Sequence, residues 1–103
     1  MIKMTKRVRL EILVDALFAP RLAKLAESAG FTGHTLLRTT SGRGRHGEWS
    51  EDLVTGATVK YIFLAVANAK RADDFMTAIA PMLESHSLVV LRSEVDVVRP
   101  EKF

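Results

Sequence analysis

Cysteine is absent from this chain of 103 residues, which excludes a disulfide scaffold and any zinc site built on thiolates. Long hydrophobic runs are missing too. Asp15 and Pro20 interrupt the best candidate well short of the roughly 20 apolar residues a membrane span needs. The opening MIKMTKRVR has no secretory apolar core, so no direct membrane insertion and a cytoplasmic location are expected. Neither charge sign dominates: the net charge of +3 favours anionic ligands without demanding nucleic acid. What remains is an apolar fraction of 48% beside 26% charged residues, the balance of one small globular domain over 1–103.

Arg7–Asp15 alternates, with Val8, Leu10, Ile12 and Val14 on one face, and predicts a strand. Pro20 suits the first turn of a helix whose buried stripe is Leu22, Leu25, Ala26 and Ala29, and Gly30 supplies the stop. Gly33–Thr40 reads as a second strand and Ala57–Val66 as a third. A second helix is expected over Arg71–Glu84 with Ala72, Phe75, Met76, Ile79 and Leu83 inward, Pro81 bending or ending it. Leu88–Arg99 closes as a fourth strand before a short tail. The order βαββαβ implies an α+β, ferredoxin-like sandwich of two helices on one face of a four-stranded sheet.

That arrangement makes the third strand informative. Val59, Tyr61, Phe63 and Ala65 face one way and Ile62, Leu64 and Val66 the other, yet two helices cover only one face. An apolar second face is an aggregation hazard unless a partner buries it, so a symmetric oligomer is expected.

Between the second and third strands lies a loop of about 17 residues, a length that in compact domains is usually functional or disordered. Ser41–Gly47 (SGRGRHG) holds Gly42, Gly44 and Gly47 with Arg43, Arg45 and His46. Glycines let backbone N–H groups converge and the arginines add charge, which suits a phosphate or another anion. The plain alternative is a solvated, mobile connector. The pattern lacks the Lys-Ser/Thr ending of a P-loop.

Order, loop and expected oligomer together resemble the PII signalling family. Gly30–Thr35 (GFTGHT) is similar to the G-hydrophobic-T-G-hydrophobic-T segment with which PII proteins enter their second strand. Ser41–Gly47 resembles the G-F-G-R-Q-K-G opening of their mobile T-loop, and Val59-Lys60 the V-K that starts their third strand. The resemblance implies a homotrimer that binds adenine nucleotides between subunits and regulates a target protein. Departures accompany it. The only tyrosine is Tyr61, outside the loop, and APMLESHSLVVL lacks the longer loop that wraps a triphosphate, with Ser87 where the family has a lysine. Fewer phosphate-binding groups imply ADP or AMP in preference to ATP. The short form looks most like the carboxysome-associated PII-like proteins, which implies bicarbonate as a further ligand and a transporter or carboxysome-related target in inorganic-carbon metabolism.

Carried over residue by residue, the resemblance assigns nucleotide contacts to Gly33, Thr35, Gly42, Arg43, Gly44, Arg45, Gly47, Leu64 and Arg99. Thr35 matches a threonine that touches adenine, and Leu64 a third-strand position whose backbone reads the base. Arg45 matches the family's loop arginine if one residue is inserted before it; without that insertion Gly44 takes the place, so both Arg43 and Arg45 are carried. Glu48, Trp49 and Asp52 are the expected partner-binding residues of the loop. Trp49 either anchors an interface or packs on the loop's own base.

Other chemistries find less support. His34, His46 and His86 lie far apart without metal-ligand spacing. Ser41, Ser50, Ser87 and Ser93 lack a His/acid partner at any telling spacing, so no enzyme is expected. A single-stranded RNA-binding module shares the element order, and Tyr61 and Phe63 imitate its stacking pair, but the first strand offers no aromatic to complete the platform. A CutA-like trimer and small enzymes of this fold share the topology as well.

Overall fold

The computed structural model describes residues 2–45, 47–50 and 59–103. Among them the elements run β1 (Thr5–Asp15), α1 (Ala19–Ser28), β2 (Thr35–Arg38), β3 (Ser41–Gly44), β4 (Gly47–Ser50), β5 (Lys60–Ala67), α2 (Ala69–Ile79), α3 (Met82–Ser85) and β6 (Val89–Val97). Strands β2, β5, β1 and β6 form one antiparallel sheet in that order, while β3 and β4 pair with each other. This is the expected α+β ferredoxin-like sandwich, with a β-hairpin inserted between the second and third strands of the sheet.

Alternation in β1 places Val8, Leu10, Ile12 and Val14 under the helices, where all four are buried. Phe63, Ala65 and Ala67 of β5 join them, with Leu22 and Ala26 of α1 and Ala72, Phe75 and Ile79 of α2 closing from above. Phe63 is fully buried and meets Phe75 and His34 ring to ring. It cannot stack on a nucleobase, which removes the aromatic pair on which the RNA-binding alternative rested.

The opposite face of the sheet is only partly apolar. Register sets Leu37, Ile62, Leu13 and Val89 in one row and Thr35, Leu64, Glu11 and Leu91 in the next. The following row carries Val66, Arg9 and Ser93, and Arg9 reaches along its own strand to Glu11 at 2.8 Å. Leu91 is 62% exposed and Val89 52%. On the helix side of the sheet, at the far end of the β1–β6 ladder, Lys6 pairs with Asp96 directly opposite, at 2.8 Å. That hydrogen bond and the carboxylate's charge raise the lysine's pKa above its usual value.

Helix α1 ends as the sequence predicts. Gly30 takes φ +95°, its N–H donates to Glu27 O at 3.0 Å, and the Phe31 N–H donates to Ala26 O at 3.0 Å. These are the paired bonds of a Schellman turn, with Phe31 buried as its hydrophobic closure. The second helix differs from expectation. It starts two residues earlier, because Asn68 caps it by accepting the Arg71 N–H at 2.9 Å. At its other end Pro81 stops it early, as expected: with no N–H to donate, the proline follows the close of α2 at Ile79 and opens the separate short helix α3. Leu83 consequently leaves the inner stripe and is 37% exposed. The fourth strand of the sheet is shorter than predicted and ends at Val97. The expected tail forms a 3₁₀ turn, Pro100–Lys102, whose Lys102 carbonyl accepts the Thr32 hydroxyl at 2.8 Å.

Candidate functional site

The stretch read as an irregular loop begins with the β3–β4 hairpin. Ser41, Gly42, Arg43 and Gly44 oppose Ser50, Trp49, Glu48 and Gly47. Gly42 explains the fold of this arm: a Cβ there would lie 2.1 Å from Cζ2 of Trp49, so only a glycine lets the indole lie flat across the facing strand. Gly47, at φ +120°, turns the chain back into β4. Sequence reasoning took the glycines as a supple phosphate cradle; Gly42 acts here as the floor of a ring-packing site. Arg43 and Glu48 are cross-strand neighbours at 3.7 Å, both well exposed, so their pairing adds little stability.

Trp49 ties the hairpin to the sheet. Its Nε1–H donates to Thr39 Oγ1 at 2.9 Å, and the Thr39 hydroxyl donates onward to the Lys60 carbonyl at 2.7 Å. The Lys60 ammonium sits 5.4 Å from the indole centroid and donates to Asp15 Oδ1 at 2.6 Å. Asp15 and Lys60 are register partners at the ends of β1 and β5. Cation, carboxylate and ring thus close a half-buried cluster under the base of the hairpin.

Beside this cluster opens a cleft of about 430 Å³. Gly44, Arg45, Gly47, Glu48 and Trp49 form its hairpin wall, Leu13, Asp15 and Lys60 its floor, and Leu83, Glu84, Ser87, Leu88 and Val89 the wall opposite. With Asp15 neutralising Lys60 and Arg43 paired to Glu48, Arg45 is the cation in this cleft that makes no ion pair among the described residues. The arrangement can take a ligand with an aromatic or apolar part against Trp49 and Leu13 and an anionic part toward Arg45.

The other predicted residues fall elsewhere on the chain. Gly42 and Arg43 line a second groove along the hairpin, with Ser41, Ser50, Glu48 and Trp49. Thr35 and Leu64 are direct partners on β2 and β5, on the sheet face away from the helices. Gly33 borders a third hollow beside α1 with Lys24, Thr32 and His34. Arg99 lies beyond β6 and pairs with Glu101 at 3.2 Å. Asp52 and His46 are outside the described residues. His34 stacks on Phe63, and His86 stacks on Phe18 with Ser85 Oγ 3.0 Å from its Nδ1.

Sequence reasoning missed Asp15 and Glu84 as cleft residues and Thr39 as the hydroxyl that holds Trp49, and treated Lys60 only as a motif letter. One signal was available: Lys60 is the single charge in an apolar strand, and antiparallel pairing of the two central strands sets it against the aspartate that ends the first.

The family model described as "Nitrogen regulatory protein P-II" matches residues 6–102. No curated protein matches the chain significantly in sequence. Among solved structures, CPII from Thiomonas intermedia K12, a nitrogen regulatory PII-like protein bound to ADP, AMP and bicarbonate, is 26% identical with a TM-score of 0.92; the similarity covers 100% of this chain and 98% of that one. CPII bound to ADP and bicarbonate gives 27% identity and a TM-score of 0.89, over 100% and 99%. The Bacillus subtilis GlnK–ATP complex shares the fold, at 14% identity and a TM-score of 0.62, over 87% of this chain and 82% of its own. With a family match across nearly its whole length and a fold that superimposes on the CPII structures over the full chain, this chain belongs to the PII family.

Proposed function

We propose that the protein is a PII-like regulator rather than an enzyme. It forms a homotrimer, binds adenine nucleotides between subunits with ADP and AMP favoured over ATP, takes bicarbonate as a second ligand, and responds through its T-loop. Its target belongs to inorganic-carbon metabolism, as a transporter or a carboxysome-related protein. The observation that carries this reading is the cleft at the hairpin base, with Arg45 free of ion pairs among the described residues and Trp49 as its wall, in a chain similar to CPII, which binds ADP, AMP and bicarbonate. Phosphates lie toward Arg45, Gly44 and Gly47. Thr35, Leu64, Gly33 and Arg99 are remote from that cleft on their own chain, so their share in binding requires a neighbouring subunit. The apolar rows of the uncovered sheet face, Leu37–Ile62–Leu13–Val89 and Leu64 with Leu91, supply the contact for such a neighbour. Glu48, exposed on the hairpin, is a contact for the target, with Asp52 farther along the same loop; Trp49 reports the ligand from the base.

Calorimetry with AMP, ADP and ATP, each with and without bicarbonate, tests the reading on protein whose mass by light scattering should be about three times 11.4 kDa. AMP and ADP are expected to bind more tightly than ATP, to change Trp49 fluorescence and, if both ligands order the same loop, to bind more tightly with bicarbonate. Arg45→Ala should weaken nucleotide binding about ten- to a hundredfold, the worth of one charge-assisted contact. A monomer that binds no nucleotide would overturn the proposal.

A further inference from the structure

The two walls of the cleft carry opposite charge. Among the described residues neither side's free charge has an ion pair: Arg45 is the cation on the hairpin side, and Glu84 is an exposed carboxylate on the other. The Glu84 wall also lacks free backbone donors across its turn. The N–H groups of His86, Ser87 and Leu88 donate to Met82 O, Glu84 O and Leu83 O at 3.0, 3.2 and 3.0 Å. Its cleft-lining residues, Leu83, Glu84, Ser87, Leu88 and Val89, include no cation. An anion extended across the cleft would therefore leave Arg45 behind and meet a carboxylate with no N–H from that turn to offset it.

From this polarity we infer that Glu84 is a specificity-determining residue that limits how much negative charge the cleft accepts. The inference rests on the nucleotide reading given above and supplies a physical reason for its preference. A nucleoside monophosphate places its charge at Arg45. Each further phosphate adds roughly one negative charge and extends the chain toward Glu84, where repulsion at short range in a partly solvated cleft costs several-fold in affinity. The preference for fewer phosphates is then a repulsion built into the far wall, in addition to the loss of attractive groups there.

The test is Glu84→Gln in the full chain, with affinities for AMP, ADP and ATP measured in chelator, so that magnesium does not mask phosphate charge. The gains should be graded: little for AMP, and roughly three- to tenfold for each phosphate added, largest at low salt because the effect is electrostatic. Asp74→Asn removes an exposed carboxylate from α2, away from each cavity that holds a proposed binding residue, and should leave the ATP:AMP affinity ratio unchanged. If Glu84→Gln binds all three nucleotides with unaltered ratios, or Asp74→Asn shifts them equally, the discrimination is overturned while nucleotide binding stands. If neither the parent nor the variant binds any nucleotide, the functional reading and this inference fall together.

Discussion

In the first half of the fold, β1–α1–β2, the helix enters without a side-chain cap at Phe18 and leaves through Gly30 at φ +95°. In the second, β5–α2–α3–β6, Asn68 caps the entry, Pro81 splits the helix, and the exit turn is made on Ser87 at φ +50°. The exit bonds are the same pair in both: Gly30 and Phe31 N–H to Glu27 and Ala26 carbonyls, Ser87 and Leu88 N–H to Glu84 and Leu83 carbonyls. The outer strands diverge more. β2 has four residues before the chain leaves for the hairpin, whereas β6 runs nine along the sheet. One half gives up sheet length to build an arm, and the other keeps a long edge strand and offers its helix exit as the wall facing that arm. The cleft is where the two differences meet.

The comparison breaks most visibly in the core. Phe75 and Leu22 are the fully buried representatives of α2 and α1. Phe75→Ala should cost about 3–5 kcal/mol, near the whole stability of a small domain, and Leu22→Ala about 2–5 kcal/mol. Denaturant melts at equal protein concentration would check both. If Leu22→Ala were nearly silent, α1 would be dispensable to the core and the halves would not be equivalent in energy.

The core and the sheet were legible because they follow from periodicities. The alternation in β1 and the stripe Ala72–Phe75–Ile79 have one burial solution once βαββαβ order is granted. The hairpin was not legible. Its stability depends on Trp49 lying across Gly42 and bonding to Thr39, a contact between residues too far apart in sequence for any local periodicity to announce. Glycines that announce a loop in sequence are here the condition for a flat strand pair. The cleft was half legible: Gly44, Arg45, Gly47, Glu48 and Trp49 sit on it as one contiguous stretch, while Asp15 and Glu84 come from distant positions that no local pattern connects to it. The displaced boundary of α2 has a smaller cause. The capping bond by which Asn68 accepts the Arg71 N–H decides the helix start, and the apolar stripe carries no sign of it.

The exits of the two helices offer a finer contrast. Gly30→Ala would place a methyl group at φ +95° and within 3.1 Å of Arg71 Nε. The lysine-like flexibility of the arginine side chain can relieve the contact, but nothing relieves the backbone. A loss of about 1–2 kcal/mol is expected, the penalty of the left-handed region for a residue with a Cβ. In a chain of this size that lowers the melting temperature by roughly 4–15 °C.

Ser87→Gly is the mirror experiment at the corresponding turn. Serine pays the left-handed penalty of about 1–2 kcal/mol in the folded state, and glycine would remove it. Glycine, however, also frees the unfolded chain, which takes back about 0.5–1 kcal/mol. The difference leaves a gain of up to about 1.5 kcal/mol, opposite in sign to Gly30→Ala at the same position of the same motif. Equal protein concentrations are needed, since the proposed assembly would raise apparent stability by mass action. Because the Ser87 and Leu88 N–H groups remain tied to Glu84 and Leu83, the substitution should leave the nucleotide ratios measured for Glu84→Gln where they were. A clear loss of stability would mean that the serine hydroxyl holds something at the cleft that its backbone angle alone does not explain. A shift in nucleotide preference would place Ser87, beside Glu84, among the residues that select the ligand.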